Sequence, residues 1–111
     1  ADMRTLRASS SSQAKFAIDL FTHRVVREVG ALSACMGGLD VLAFTGGIGE
    51  NDFAVREEIC QGMEGLGIAV AKDLNQEQSR AIRKVSTGSV SVLVVPTNEE
   101  LEIATQAAGL I

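Results

Sequence analysis

The sequence predicts an α/β domain in which helices flank a small parallel sheet. The first reason is size: 111 residues, 46% of them hydrophobic, make about one domain with enough apolar side chains for a core. The second is the order of helix-like and strand-like segments along the chain, αβα(β)αβα. The third is that segment 90–95 is apolar on both faces, which is typical of a strand covered by helices on both sides.

A long helix is predicted over residues 11–36, where apolar side chains recur at three- and four-residue steps. A run of serines ahead of Gln13 offers a capping box for its first turn. The Gly37-Gly38 pair is expected to end this helix, because glycine reaches the left-handed conformation without steric cost.

The rest of the chain predicts short strands separated by shorter helices. The expected order is a strand at 40–45, a helix capped by Asn51 or Asp52 and ended by Gly65 and Gly67, a brief strand at 68–70, a polar helix from Asn75 to about Val85, a strand at 90–95, and a last helix from Thr97 or Asn98. Two or three strands make a thin sheet. The two-sided burial expected of segment 90–95 implies neighbouring strands, and the chain itself predicts only one or two others.

Composition excludes several classes of partner. A net charge of −4 argues against binding to nucleic acid or an anionic membrane, which requires clustered Lys and Arg. The absence of Trp and Tyr argues against a base-stacking platform. No stretch approaches the roughly 18 apolar residues of a membrane helix, and the first residues do not resemble a signal peptide. We therefore expect a cytoplasmic protein.

The isolated cysteines, the histidine and the charged residues near Arg56 are expected to have structural rather than catalytic roles. Cys35 and Cys60 are too few for a disulfide framework and lack zinc-site spacing, so both are expected to be small buried hydrophobes. His23, the only histidine, has no acid or cysteine partner nearby and is expected on a helix surface. Arg56 and the two glutamates that follow it are interpreted as a solvated helix face.

The turn at 45–51, Thr45-Gly46-Gly47-Ile48-Gly49-Glu50-Asn51, is a candidate ligand site. In open α/β sheets, ligands bind beyond the carboxyl ends of the strands, and glycines let the backbone approach them closely. The turn is neither a P-loop nor a GxGxxG motif. Because Glu50 and Asp52 would repel a polyphosphate, it is predicted to hold the adenosine side of a nucleotide. An ordinary tight turn before a capped helix would explain the same residues.

A second candidate lies at Pro96-Thr97-Asn98-Glu99-Glu100. Thr97 and Glu100 match a capping box, which gives Glu100 a structural role and leaves Glu99 without one. A carboxylate at that place could bind Mg²⁺, directly or through water. The alternative is a solvated acid favoured by the helix dipole.

Three segments resemble motifs of the acetate kinase family. DVLAFTGGIGEN at 40–51 is similar to the family's second signature, DMRTL at 2–6 to its DxR segment, and VVPTNEEL at 94–101 to its IPTNEE segment. The resemblance implies a ribonuclease-H-like fold of the sugar kinase, heat-shock protein 70 and actin type, with an incomplete sheet flanked by helices. It also implies that residues 1–111 form the C-terminal nucleotide-binding portion of a carboxylate kinase.

The resemblance further implies an activity and a set of site residues. The family transfers the γ-phosphoryl group of ATP to acetate, or to propionate or butyrate in close relatives, and forms homodimers. Glu99 would bind Mg²⁺. By matched position, the adenosine pocket would contain Asp2, Met3, Arg4, Gly47, Ile48, Gly49, Glu50 and Asn51.

The match to the family is incomplete in two respects. No residue matches the family's catalytic Asp, its transition-state Arg and His, its main phosphate loop or its acyl pocket, so no catalytic residue is predicted and the chain alone is expected to be inactive. Asp52 stands where the family usually has a small hydroxyl residue, and its charge could weaken nucleotide binding.

Two other classes of function fit the same sequence. One is a free-standing module that binds adenine nucleotides without catalysis. The other is a structural or dimerisation domain that uses the long helix as its interface.

Overall fold

The computed structural model describes residues 3–96, so Asp2, Glu99 and the predicted last helix lie outside the described part of the chain. The elements within it are α1 (Met3–Ala8), α2 (Ser12–Met36), β1 (Val41–Phe44), α3 (Gly46–Asn51), α4 (Phe53–Gln61), a 3₁₀ turn (Glu64–Leu66), α5 (Lys72–Gln76), β2 (Arg83–Lys84) and β3 (Ser91–Val94).

The predicted long helix is confirmed as α2. Its N-cap is Ser11, whose Oγ accepts a hydrogen bond from the Ala14 N–H at 3.1 Å. Gln13 is therefore not three residues after the cap, as a capping box would require. The predicted stop is also confirmed: Gly37 has φ +77°, in the left-handed region, and its N–H donates to the Ala34 carbonyl at 3.3 Å.

The sheet has the strand order β1-β3-β2. β1 and β3 are parallel, with Leu42 opposite Val92, while β2 is antiparallel to β3, with Lys84 opposite Leu93. The sheet is thus mixed rather than wholly parallel. β3 is its central strand, with β1 on one side and β2 on the other. Burial alternates along β3, since Val92 and Val94 are buried and Ser91 and Leu93 are only partly buried, so the predicted burial on both faces is not observed within this strand.

The predicted polar helix from Asn75 to about Val85 is wrong. α5 ends at Gln76, and the chain then extends into β2. The Val85 N–H donates to the Val92 carbonyl at 2.9 Å, and the Val85 side chain is buried in the core. Pairing with β3 outweighs the local preference, because a short polar helix without an apolar face has little to stabilise it.

The brief strand predicted at 68–70 is reduced to a single bridge between Val70 and Ser86. The helix predicted after residue 51 is confirmed as α4. Its N-cap is Asp52, whose Oδ1 accepts from the Val55 N–H at 3.0 Å. α4 ends at Gln61, before the predicted glycines, and the 3₁₀ turn follows.

The core lies where α2 and α4 cover the sheet. Its buried members come from both helices, from β1 and β3, and from the connecting segments. They include Ile18, Val29, Leu42, Phe44, Val55, Ile59, Met63, Ile68, Val85, Val92 and Val94. Within residues 3–96, none of the helices combines the length and the apolar character that a membrane span requires.

Candidate functional site

The glycine-rich segment after β1 is a short helix, α3, rather than a turn. Its N-cap, Thr45, is extended, and Gly46 has φ +78°, a conformation that favours glycine. The sequence gives no helical signal here, since glycine is among the poorest helix formers. The helical geometry decides which of its residues can share a ligand.

α1, α3 and the start of α4 line a groove of about 590 Å³. This volume is within the range of small-molecule sites. We call this the α1–α3 groove. Its lining residues are Met3, Arg4, Arg7, Gly47, Ile48, Asn51, Asp52, Phe53 and Ala54.

The groove brings together five of the eight residues predicted to contact adenosine. These five are Met3, Arg4, Gly47, Ile48 and Asn51. Gly49 instead faces β1, since a Cβ built on it would lie 3.5 Å from the Phe44 Cβ. Glu50 lines a different groove, and Asp2 is outside the described residues. The adenosine-binding roles of all eight stay predictions.

Gly47 leaves room at the α1–α3 groove. A Cβ built on it meets no other heavy atom within 4 Å, and its φ is not positive. The backbone therefore does not require glycine at this position. Because residue 47 is glycine, the space that a side chain would fill is part of the groove.

Arg7 pairs with Asp52, the acid at the position where the resemblance implies a small hydroxyl residue, and also with Glu58. Its Nε lies 3.6 Å from Asp52 Oδ2, and its Nη2 donates to Glu58 Oε1 at 2.9 Å. Asp52 is thus paired as well as acting as the cap of α4. Its charge opposes an anionic ligand less than the sequence suggests.

Arg56 corrects an expectation, because it is 2% exposed rather than solvated. Its Nε and Nη2 donate to the side-chain and backbone oxygens of Asn75 at 2.7 and 2.6 Å. Its Nη1 donates to the carbonyls of Gly49 and Glu50, both at 3.0 Å. Burial, together with the nearby Arg83, lowers the pKa of Arg56 from its ordinary value.

One sequence signal could have located Arg56. It precedes Ile59 and Cys60 by three and four residues, so helical spacing places it beside the buried stripe of α4. Its principal partner, Asn75, is 19 residues further along the chain and could not be identified from local spacing.

A second groove, of about 520 Å³, lies on the other side of the α3–α4 junction. Asn51 and Phe53 line both grooves. The second groove combines acidic and basic side chains, and Arg83 Nη1 is held by the Glu77 carbonyl at 2.6 Å. Its other lining residues are Glu50, Arg56, Gln76, Gln78, Ser79 and Arg80.

The described residues contain no cluster of three or more His, Cys, Asp or Glu side chains that could hold a metal ion. His23 is exposed on α2, as predicted. The predicted Mg²⁺ residue, Glu99, lies outside residues 3–96.

The two cysteines differ in environment. Cys60 is 1% exposed, as predicted, whereas Cys35 is exposed near the end of α2, contrary to prediction. Burial raises the pKa of the Cys60 thiol to about 12, while nearby Arg56 opposes the shift. Because the thiolate is the reactive form, Cys60 is expected to be inert at neutral pH.

Thiol titration checks this difference. At pH 8 the folded chain is expected to react with Ellman's reagent at Cys35 alone, and both thiols are expected to react after unfolding in guanidinium. Cys35→Ser is the control and should abolish the reaction of the folded chain. Fast modification of Cys60 in the folded state would contradict its burial.

Comparison with known proteins identifies the family. The profile of the Acetokinase family matches residues 1–105. The acetate kinase of Rickettsia felis is 48% identical over 103 residues, which cover 93% of this chain and 26% of that protein. The acetate kinase of Oleidesulfovibrio alaskensis is 43% identical over 115 residues, covering 99% of this chain and 29% of the relative.

Solved structures agree with the sequence comparison. Porphyromonas gingivalis acetate kinase superposes with a TM-score of 0.83 at 36% identity, covering 97% of this chain and 28% of that structure. A propionate kinase from Francisella tularensis gives a TM-score of 0.78 at 36% identity, covering 99% of this chain and 29% of its own. These neighbours confirm the predicted fold class. The chain spans less than a third of the length of these relatives, and it belongs to the acetokinase family.

Proposed function

We propose that this chain is the nucleotide-binding portion of a carboxylate kinase that phosphorylates a short carboxylate, most simply acetate, with ATP. The observation that carries the proposal is the α1–α3 groove. Residues from the DxR-like segment, Met3 and Arg4, meet residues of the GGIGEN segment, Gly47 and Ile48, in one groove. Similarity to acetate and propionate kinases supports the reaction class without distinguishing between their substrates.

The groove suits the adenosine portion of ATP better than its phosphates. Ile48 and Phe53 offer apolar surface to a purine, and Asn51 offers an amide that can donate and accept hydrogen bonds. Arg7 is already paired with Asp52 and Glu58, so it is not a free phosphate ligand. We infer that the phosphates extend away from this groove.

No three His, Cys, Asp or Glu side chains among residues 3–96 are grouped so that they could hold a metal ion by themselves. The role of Glu99 at the metal therefore remains a prediction from the resemblance, as do the homodimer and the cytoplasmic location. The part that the described residues play is to bind and orient the nucleotide. Phosphoryl transfer depends chiefly on such positioning and on charge stabilisation.

Thermal unfolding tests nucleotide binding. ATP at ten times its Kd should stabilise the chain by about 1.4 kcal/mol, which for a domain of this size corresponds to several degrees in the unfolding midpoint. Because adenosine is the proposed contact, AMP should also raise the midpoint, whereas tripolyphosphate should not. An unchanged midpoint at millimolar ATP and AMP would contradict the proposal.

An interface function is the second candidate, and exposed apolar side chains on α2 favour it. Phe16 is 67% exposed, and Leu20, one turn further along, is 37% exposed. Large apolar patches on a surface often mark protein–protein contacts. If the chain self-associates through this surface, its sedimentation coefficient should rise with concentration, and Phe16→Ser should abolish that rise. Such an interface can coexist with the nucleotide groove.

A further inference from the structure

We infer that Arg56 is a positioning residue of the α1–α3 groove: it holds the carboxyl end of α3 through the carbonyls of Gly49 and Glu50. This fixes the face of α3 that carries Gly47, Ile48 and Asn51. The part of the inference that concerns the nucleotide rests on the proposed function. The attachment of α3 can be tested without any ligand.

The carbonyls at the end of α3 require external donors. The last four carbonyls of any helix have no intrahelical partner. In α3, the Ile48 carbonyl accepts from the Asp52 N–H at 3.0 Å. The carbonyls of Gly49 and Glu50 accept from Arg56 Nη1, so a cation lies at the negative end of the helix dipole.

α3 has few other sources of stability. It has six residues, three of them glycine, whereas isolated helices shorter than about 12 residues are marginal even in good helix-forming sequences. None of its residues is buried. Helix propensity therefore does not hold α3 in place and packing contributes little, so the polar attachments of α3 matter most.

The other side of the guanidinium is fixed by α5. Asn75, fully buried, accepts from Arg56 Nε and Nη2, and its own Nδ2 donates to the Phe53 carbonyl at 2.9 Å. Arg56 therefore links α3, α4 and α5. Lysine could not replace it, since one ammonium group cannot reproduce the planar arrangement of several donors.

The attachment matters for the groove because its two walls come from different elements. Met3 and Arg4 are on α1, and Gly47, Ile48 and Asn51 are on α3. If α3 moves, all three of its groove residues move together relative to α1. A shift of about 1 Å at a binding site is enough to weaken positioned contacts severely.

The first test is hydrogen exchange in the absence of nucleotide, using Arg56→Lys. The amide of Asp52, which donates to Ile48, should lose protection at least tenfold more than the amide of Ser91 in β3, which donates to the Asp40 carbonyl at 2.9 Å. The matched control is Ile59→Val or Ile59→Ala, whichever has the same unfolding midpoint as Arg56→Lys. The control should change both amides equally. Equal changes in Arg56→Lys would overturn the inference.

The second test is ADP affinity by isothermal titration, at a temperature at which all variants are folded. Arg56→Lys should bind ADP at least tenfold more weakly than the unsubstituted chain, and the Ile59 control should stay within threefold. Unchanged affinity in Arg56→Lys would overturn the positioning role. If the unsubstituted chain bound no ADP, the proposed function would fail, while hydrogen exchange would still decide whether Arg56 holds α3.

Discussion

Gly47→Val is expected to abolish stabilisation by ATP while leaving the unfolding midpoint of the ligand-free chain nearly unchanged. A Cβ at 47 meets no atom within 4 Å beyond its chain neighbours and the α3 backbone, and the φ of Gly47 is not positive, so the fold should accept a side chain there. Valine is also a somewhat better helix former than glycine. The new methyl groups would project into the space that the nucleotide is proposed to occupy. We expect at least a hundredfold loss of affinity, or about 2.7 kcal/mol.

Gly65→Val is the matched control for this prediction. A Cβ at 65 also meets nothing within 4 Å, and Gly65 does not line the α1–α3 groove. Its response to ATP should equal that of the unsubstituted chain. In a longer protein that carries this segment, Gly47→Val should raise the KM for ATP far more than the KM for acetate. Normal ATP binding by Gly47→Val would place the nucleotide elsewhere.

The parts of the fold with strong hydrophobic patterns were predictable from sequence. α2 follows from apolar residues at helical spacing, and β1 and β3 follow from short apolar runs bounded by glycine or proline. Helix ends that depend on one or two neighbouring residues were also predictable, such as the end of α2 at Gly37 and the start of α4 at its N-cap Asp52. These signals are contained within a few neighbouring residues.

Features that depend on distant partners were not predictable. The stretch from Asn75 to Val85 has the composition of a polar helix, but its ends are buried against other elements and its last part pairs with β3. Arg56 lies between glutamate and apolar neighbours, and its partner Asn75 belongs to α5. Charge patterning along one helix cannot reveal a partner on another.

The candidate site was likewise predictable only in part. The family resemblance predicted the segments that meet, because motifs carry that information in sequence. It does not separate the residues that line the groove from those that do not, because the sequence predicts a turn at 45–51 rather than a helix. Once 46–51 is helical, Gly47, Ile48 and Asn51 share one face, while Gly49 turns toward β1 and Glu50 toward the second groove.

Arg56→Ala is expected to lower the free energy of unfolding by about 1–3 kcal/mol, because it leaves buried neutral hydrogen-bond acceptors without a donor. The loss leaves Asn75 without its donors and opens a cavity beside α4. Urea denaturation, monitored by circular dichroism at 222 nm, measures this change in the free energy of unfolding.

A double-mutant cycle with Asn75→Ala isolates the side-chain contact between the two residues, in which Arg56 Nε donates to Asn75 Oδ1. The backbone carbonyl of residue 75, which accepts from Arg56 Nη2, is kept in Asn75→Ala. The expected coupling is about 1–3 kcal/mol. Arg24→Ala, at an exposed position of α2, is the control and should stay within about 0.5 kcal/mol of the unsubstituted chain. A cost below about 1 kcal/mol for Arg56→Ala would mean that the guanidinium is hydrated in solution. It would then not be the attachment that holds α3 to α5.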